Sequence, residues 1–293
     1  MKNIFLIIFS FVMASAVFGA LSRPAPQMQA TPMTVEKIRE NIYMVKGGTG
    51  ANAGFIIGDK EVVVIDVKMT PDSGREMLAA IAKVSPLPVT TIILTHSDGD
   101  HVNGFPAFPK GLKIVAQEKC LEELKAASKE QPFLKDYLPT VTFDSALTFK
   151  AGALTLDLRH YGPAHTSGDT VIDIPEASVA FVGDLAFLGR DPLVHRRKNG
   201  SSIGLVKTLR AVLDYKPAIG VFISGHTDPL GPADIEGLIR SVQEKQEKIK
   251  TLVSAGKTLD EVKKAFGIED PPAGQMRFPS LVEVIYLELT EKK

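Results

Sequence analysis

Thr95-His96-Ser97-Asp98-Gly99-Asp100-His101 packs four potential metal ligands into six residues. It follows the apolar run Val89-Thr90-Thr91-Ile92-Ile93-Leu94, itself preceded by Pro86 and Pro88. Val, Ile and Thr favour pleated backbone, and a short apolar run bounded by prolines and polar residues predicts a strand buried on both faces. Four side chains able to ligate a metal, His96, Asp98, Asp100 and His101, then fall on the turn where that strand stops. Imidazoles and carboxylates at i, i+2, i+4 and i+5 can converge on one or two divalent ions if the turn is tight, and Gly99 permits backbone angles that other residues resist. Taken alone, the segment reads equally well as a polar surface turn, because Asp and Gly are ordinary turn residues.

Further ligand types recur along the chain, each beside small residues and after a strand-like run. They are His165 in Gly162-Pro163-Ala164-His165-Thr166-Ser167-Gly168-Asp169, Asp184 in Phe181-Val182-Gly183-Asp184, and His226 in Phe222-Ile223-Ser224-Gly225-His226-Thr227-Asp228. The 293 residues carry 34 basic and 34 acidic side chains and 44% apolar residues, which suits one large globular domain. A formally neutral chain without a basic run lacks the electrostatic footprint of a nucleic-acid binder, so the expected partner is a small-molecule substrate. A single cysteine, Cys120, excludes an intramolecular disulfide framework. The helix-like Leu121-Glu122-Glu123-Leu124-Lys125 after it marks Cys120 as a packed side chain rather than a nucleophile.

Residues 1–20 read as a secretory signal peptide: Lys2, an apolar run over 4–17, then small residues including Gly19 and Ala20. The run is shorter than the roughly 20 residues a membrane span needs, so no stable membrane insertion is expected after cleavage. The expected location is periplasmic or secreted. Residues 21–34, with Pro24, Pro26 and Pro32, read as a linker, and 35–293 as the folded domain. Within it, strands are predicted at 41–45, 53–57, 61–66, 113–116, 146–149, 154–158, 170–174 and 178–182, with a hairpin turn at Gly58-Asp59-Lys60. Helices are predicted at 71–84, 118–129, 202–213 and 233–252, and Thr258-Leu259-Asp260-Glu261 opens another with a capping box. By themselves these elements give only a mixed α and β protein.

With these four ligand-bearing segments in this order, the sequence resembles the metallo-β-lactamase superfamily of metallohydrolases. That family's pattern is Thr-His-x-His-x-Asp-His, then Gly-x-x-His-Thr-x-Gly, then Gly-Asp after an apolar strand, then a Gly-His towards the C-terminus. The resemblance spans roughly residues 38–228 and departs at one position, where Asp98 stands in place of the second His. It implies an α+β fold, the αββα sandwich of the metallo-β-lactamase type. It also implies one metal held by His96, Asp98 and His165, a second by Asp100, His101 and His226, and Asp184 bridging the two. Asp66, closing an apolar run, is expected to support the ligand loop through hydrogen bonds. Two Zn²⁺ are the default, with Fe²⁺ or Mn²⁺ as the other candidates.

The chemistry so implied is hydrolysis. A metal lowers the pKa of bound water from about 15.7 towards 7, and the expected enzyme uses such a metal-bound hydroxide on an ester, thioester, lactone or β-lactam. Asp100 is expected both to ligate and to orient that nucleophile. Two other readings stay open: a mononuclear iron oxidoreductase like the superfamily's persulfide dioxygenases, and a metal-binding protein without catalysis. An Asp98 carboxylate in place of a neutral imidazole adds one negative charge, which should weaken the metals as Lewis acids and favour harder ions. Outside the pattern, His160 reads as structural. His195, in the loop 190–200 with Arg190, Arg196 and Arg197, belongs either to a solvated basic loop or to a contact with an anionic substrate. Nothing in the sequence selects a lactam over an ester or sets the oligomeric state.

Overall fold

The computed structural model describes residues 31–270 and 277–291. The expected signal peptide and most of the expected linker lie outside the described residues. Seven strands pair in chain order: β1 (Thr31–Arg39), β2 (Ile42–Gly48), β3 (Ala53–Ile57), β4 (Val62–Ile65), β5 (Val89–Ile93), β6 (Lys113–Gln117) and β7 (Val141–Phe143). The first four run antiparallel through short turns, and β4 to β7 are parallel. Parallel neighbours need crossovers, and α1 (Pro71–Val84) and α3 (Glu118–Ala127) lie in those between β4 and β5 and between β6 and β7. Thr70 caps α1 by accepting from Ser73 N at 3.2 Å, with Pro71 at the first helical position where no N–H is required.

A second sheet contains β8 (Ala146–Ala151), β9 (Leu154–Arg159), β10 (Val171–Ile174), β11 (Val179–Gly183) and β12 (Val221–Ser224), in the order β12-β11-β10-β9-β8. Only β11 and β12 are parallel, joined across α4 (Ser202–Asp214). The helices α5 (Pro232–Ser254), α6 (Leu259–Ala265) and α7 (Leu281–Thr290) complete the chain. Three apolar clusters define the layers. Ile56, Ile65, Ile93, Leu158, Ile172 and Phe181 meet between the sheets. Met77, Ile81, Cys120 and Leu124 seat α1 and α3 on the first sheet. Leu205, Leu209, Ile239 and Ile285 seat α4, α5 and α7 on the second. This is the αββα sandwich, and Cys120 is fully buried in it. Among the described residues no helix is long and apolar enough to cross a membrane.

Several boundaries differ from the sequence reading. The strand β1 begins at Thr31, so residues 31–34 of the expected linker pair with β2, as Thr31↔Gly48 and Thr34↔Lys46 show. Pro32 is tolerated because β1 is an edge strand, where a missing N–H breaks no ladder. The short edge strand β7 and the helix α7 were not anticipated. Yet Ser280 and Glu283 form a capping box at the start of α7. His160 is structural as expected, its Nδ1 donating to Asp169 O at 2.8 Å.

Two features of the sheets, one where they face each other and one within the second, give measurable consequences. Met44, Gly54 and Ile65 are cross-strand partners, and Gly54 faces Phe181 so closely that a Cβ would lie 2.2 Å from its ring. Gly54→Ala should therefore cost about 1–3 kcal/mol in chemical denaturation, and Phe181→Leu should recover part of it; an unchanged midpoint would refute this close contact. Asp173 on β10 is fully buried, and neither carboxylate oxygen has a hydrogen-bond partner. Burial, opposed by Arg159 and reinforced by Asp157, pushes its carboxyl up from 3.8 to about 7. The folded state thus holds the proton more tightly than the unfolded chain. This stabilisation is complete below the unfolded value and lost as pH rises through about 7. Asp173→Asn should be more stable than wild type at about pH 8, by at most about 4 kcal/mol at 1.36 kcal/mol per pKa unit, with the gap narrowing to about 2 kcal/mol at about pH 5 and closing only below the unfolded value of 3.8. Equal differences at both pH values would show that Asp173 is ionised in the fold.

Candidate metal centre

The predicted ligands gather at one end of the sandwich because the strands carrying them stop there: β5 before His96, β11 before Asp184, and β12 before His226. Asp66, just past β4, adopts a left-handed φ of 58°. Its carboxylate accepts from Thr95 N at 2.9 Å, Thr95 Oγ1 at 2.7 Å and His101 Nδ1 at 2.7 Å. This is the supporting role expected of it, and it turns His101 Nε2 towards the other ligands. Residues Gly99–Val102 form the one-turn helix α2, which brings Asp100 and His101 round behind Asp98. The small neighbours of Asp184 and His226 have a steric reason. A Cβ on Gly183 would meet Thr95 at 2.8 Å, and one on Gly225 would lie 2.2 Å from Asp184 Oδ1.

All seven residues predicted from the sequence come together. Ligand atoms of Asp100, His101, Asp184 and His226 lie within 4.8 Å of one another, as do those of His96, His165 and Asp184. Asp184 belongs to both groups: its Oδ1 is 3.1 Å from His101 Nε2, and its Oδ2 is 3.1 Å from His226 Nε2 and 3.9 Å from His165 Nε2. Asp98 Oδ2 is 3.2 Å from His165 Nε2 and 3.8 Å from His96 Nε2. Asp100 Oδ2 is 3.1 Å from His226 Nε2. His165 is aimed by its other nitrogen, which donates to Leu193 O at 2.8 Å. His96 Nε2 is buried without any hydrogen-bond partner, a cost a folded chain ordinarily avoids. Four imidazoles and three carboxylates converging around that nitrogen fit divalent first-row ions.

The electrostatics agree. Burial works against the Asp184 carboxylate, but His101 and His226 outweigh it and hold its pKa well below the usual range. Asp98 is likewise held low against burial by His165, His96 and Lys198. Burial opposes charge on His165 and His226 too, yet Asp98 and Asp184 raise the first to about 9, and Asp100 and Asp184 raise the second to about 9. His96, by contrast, is pushed well below its ordinary value by burial and by His101 and His165. The carboxylates thus favour positive charge at the cluster, which protons or divalent ions supply in competition.

Residues without a sequence signature complete the surroundings. Lys198 Nζ donates to Asp98 Oδ1 at 2.5 Å and to Ser97 Oγ at 2.7 Å. Ser97 in turn donates to Glu123 of α3, whose other oxygen accepts from Ser167 Oγ at 2.6 Å. Of the basic loop's arginines, Arg196 pairs with Glu291 at 2.6 Å and Arg190 lies 4.4 Å over the Phe187 ring. Lys198 is the loop cation that reaches the cluster. No local pattern marks it, though the extra carboxylate at 98 called for a counter-charge. Phe187 stacks on His226 at 5.4 Å, and Phe278 lies edge-on to His195 at 5.0 Å, with His195 beside His165. Lys46, Asn52, Leu188, His226, Thr227 and Asp228 line a cleft of about 520 Å³ that meets the cluster at His226.

Comparison with known proteins gives the same picture. The family profile described as "Metallo-beta-lactamase superfamily" matches residues 47–226. The "2,4-dinitroanisole O-demethylase subunit alpha" of Nocardioides sp. is 29% identical over 175 residues, 58% of this chain and 51% of that one; the chain thus spans about half the length of that relative. The "Metallo-beta-lactamase type 2" of Elizabethkingia meningoseptica is 25% identical over 76% of this chain and 90% of its own. The solved metallo-beta-lactamase from Pontibacter korlensis superposes with a TM-score of 0.62 at 19% identity, covering 72% of this chain and 99% of that one, and so shows a shared fold. Since the profile covers more than half of the chain and every ligand-bearing segment in order, the chain belongs to the metallo-beta-lactamase superfamily.

Proposed function

We propose that this protein is an exported hydrolase that depends on two divalent ions, Zn²⁺ by default, and cleaves an ester, thioester, lactone or β-lactam. The observation that carries the reading is the pair of candidate ligand groups sharing Asp184, one of which reaches a cleft through His226. His96, Asp98 and His165 would hold one ion, Asp100, His101 and His226 the other, and Asp184 would touch both. Bound there, the ions supply acidified water near neutral pH and a Lewis acid for the substrate oxygen.

The chain's own residues orient and screen. Asp100 is partly exposed beside His226 and accepts a hydrogen bond from an incoming water, aligning it for attack. Leu188 and Phe278, each about half exposed, offer apolar surface around the site, and the buried Phe187 ring backs His226. That surface suits a substrate with an apolar or aromatic group. The relatives named for a β-lactamase and for a 2,4-dinitroanisole O-demethylase differ in the substrates they are named for and do not choose among these substrate classes.

The test is turnover against nitrophenyl esters, thioesters, lactones and chromogenic β-lactams, with and without chelator, alongside metal analysis of protein purified without added metal. The expected result is two ions per chain and a chelator-sensitive hydrolysis that Asp184→Ala lowers at least about a hundredfold. A single iron per chain would instead mean the oxygenase chemistry, and bound metal without turnover a binding protein. Export rests on Lys2 and the apolar run over 4–17. Intact mass of secreted material should show a mature chain beginning between Ala16 and Pro26, and a full-length chain held in the membrane fraction would overturn export.

A further inference from the structure

Asp98 departs from the family pattern, and its surroundings show how the fold absorbs the change. One oxygen, Oδ2, turns inward to His165 and His96; the other, Oδ1, is held at 2.5 Å by Lys198 Nζ. Both side chains are mostly buried, at 12% and 23% exposure, so the pair is not a freely solvated surface contact. The ammonium is fixed from a second side by Ser97 Oγ at 2.7 Å, and Ser97 is anchored by Glu123. Asn199, in the left-handed conformation at φ 54°, ends the short turn Arg196–Lys198 that presents the lysine. An imidazole in this position would aim one nitrogen inward and be neutral. The Asp98–Lys198 pair also aims one atom inward and is neutral as a unit.

We propose that Lys198 is a positioning and charge-setting residue whose ion pair with Asp98 replaces the neutral histidine of the family pattern. The formal charge supports this. Asp98, Asp100 and Asp184 less one ammonium leave −2, as two carboxylates and a neutral imidazole would. The sequence-based expectation of weaker Lewis acids at this site therefore does not hold once Lys198 is included. The inference rests on the two-ion reading above, because the charge being set is that felt by a cation between His96, Asp98 and His165. Lys198 limits how tightly that cation is held, since an ammonium beside a divalent ion repels it through a partly buried medium.

The experiment measures stepwise Zn²⁺ affinities of the full chain by competition with a chromophoric chelator, with Co²⁺ absorption spectra as a second readout of the ligand set. Asp98→Ala identifies the step that belongs to this site. Lys198→Met should tighten that step at least about tenfold, and Lys198→Arg should leave it near wild type. Asp98→His, which strands the ammonium beside a neutral ligand, should weaken it at least about tenfold. The double variant Asp98→His with Lys198→Met should return to within about threefold of wild type, with a Co²⁺ spectrum richer in nitrogen ligation. If Lys198→Met binds as wild type does, or Asp98→His binds as tightly as wild type, the lysine is a surface ion pair and the proposal fails. A wild-type chain that binds no Zn²⁺ overturns both this inference and the proposed function, whereas tight wild-type binding with an indifferent Lys198→Met overturns this one alone.

Discussion

The Asp66 carboxylate is the constraint on which the site depends. It follows directly on β4, and it holds the start of the ligand turn through Thr95 N and Thr95 Oγ1 while fixing the His101 ring. A buried carboxylate with three donors is strongly satisfied, and the geometry around it is correspondingly stiff. Its left-handed backbone directs the chain away from the strand line so that the side chain can reach across to the end of β5. Lys68, buried two residues later and donating to Ala51 O, places a cation behind the same turn. Burial pulls that ammonium down to about 8, against Asp100 and Asp66, which raise it.

From that anchor outward, the fold works as a rigid frame. Each sheet contributes parallel strands ending at the same edge, β4 and β5 from one and β11 and β12 from the other. The inter-sheet cluster of Ile, Val and Phe side chains sets their spacing. Interiors packed this densely deform little, so His96, Asp184 and His226 keep their separations although long stretches of chain divide them. Glycines at 183 and 225 matter because the ligand residues crowd the backbone there, and any side chain would strike Thr95 or Asp184.

The electrostatic cost of the cluster explains the neighbouring polar network. Three carboxylates in a largely buried space are unfavourable without positive charge. Imidazole protons, divalent ions and Lys198 each offset part of that cost, and the Lys198–Ser97–Glu123–Ser167 chain ties the turn after β5 to α3 and to the His165 loop. Two positions that look unrelated in sequence, 98 and 198, thereby form one electrostatic unit.

Legible in the sequence are the strand before Thr95, the candidate ligand residues, most helices and strands, and the support role of Asp66. These depend on local propensity, on hydrophobic period and on side-chain chemistry, all of which are written in contiguous residues. Folding alone shows that β1 starts at Thr31, that α7 covers the second sheet, that Phe278 packs on His195 beside His165, and that Lys198 reaches Asp98. β1 reads as linker because an edge strand may carry proline, and α7 gains its identity from burial against α5. Lys198 is one cation in a basic loop of four, and nothing local distinguishes it. The folded chain selects it by distance, since only packing determines which ammonium comes within 2.5 Å of a carboxylate a hundred residues away.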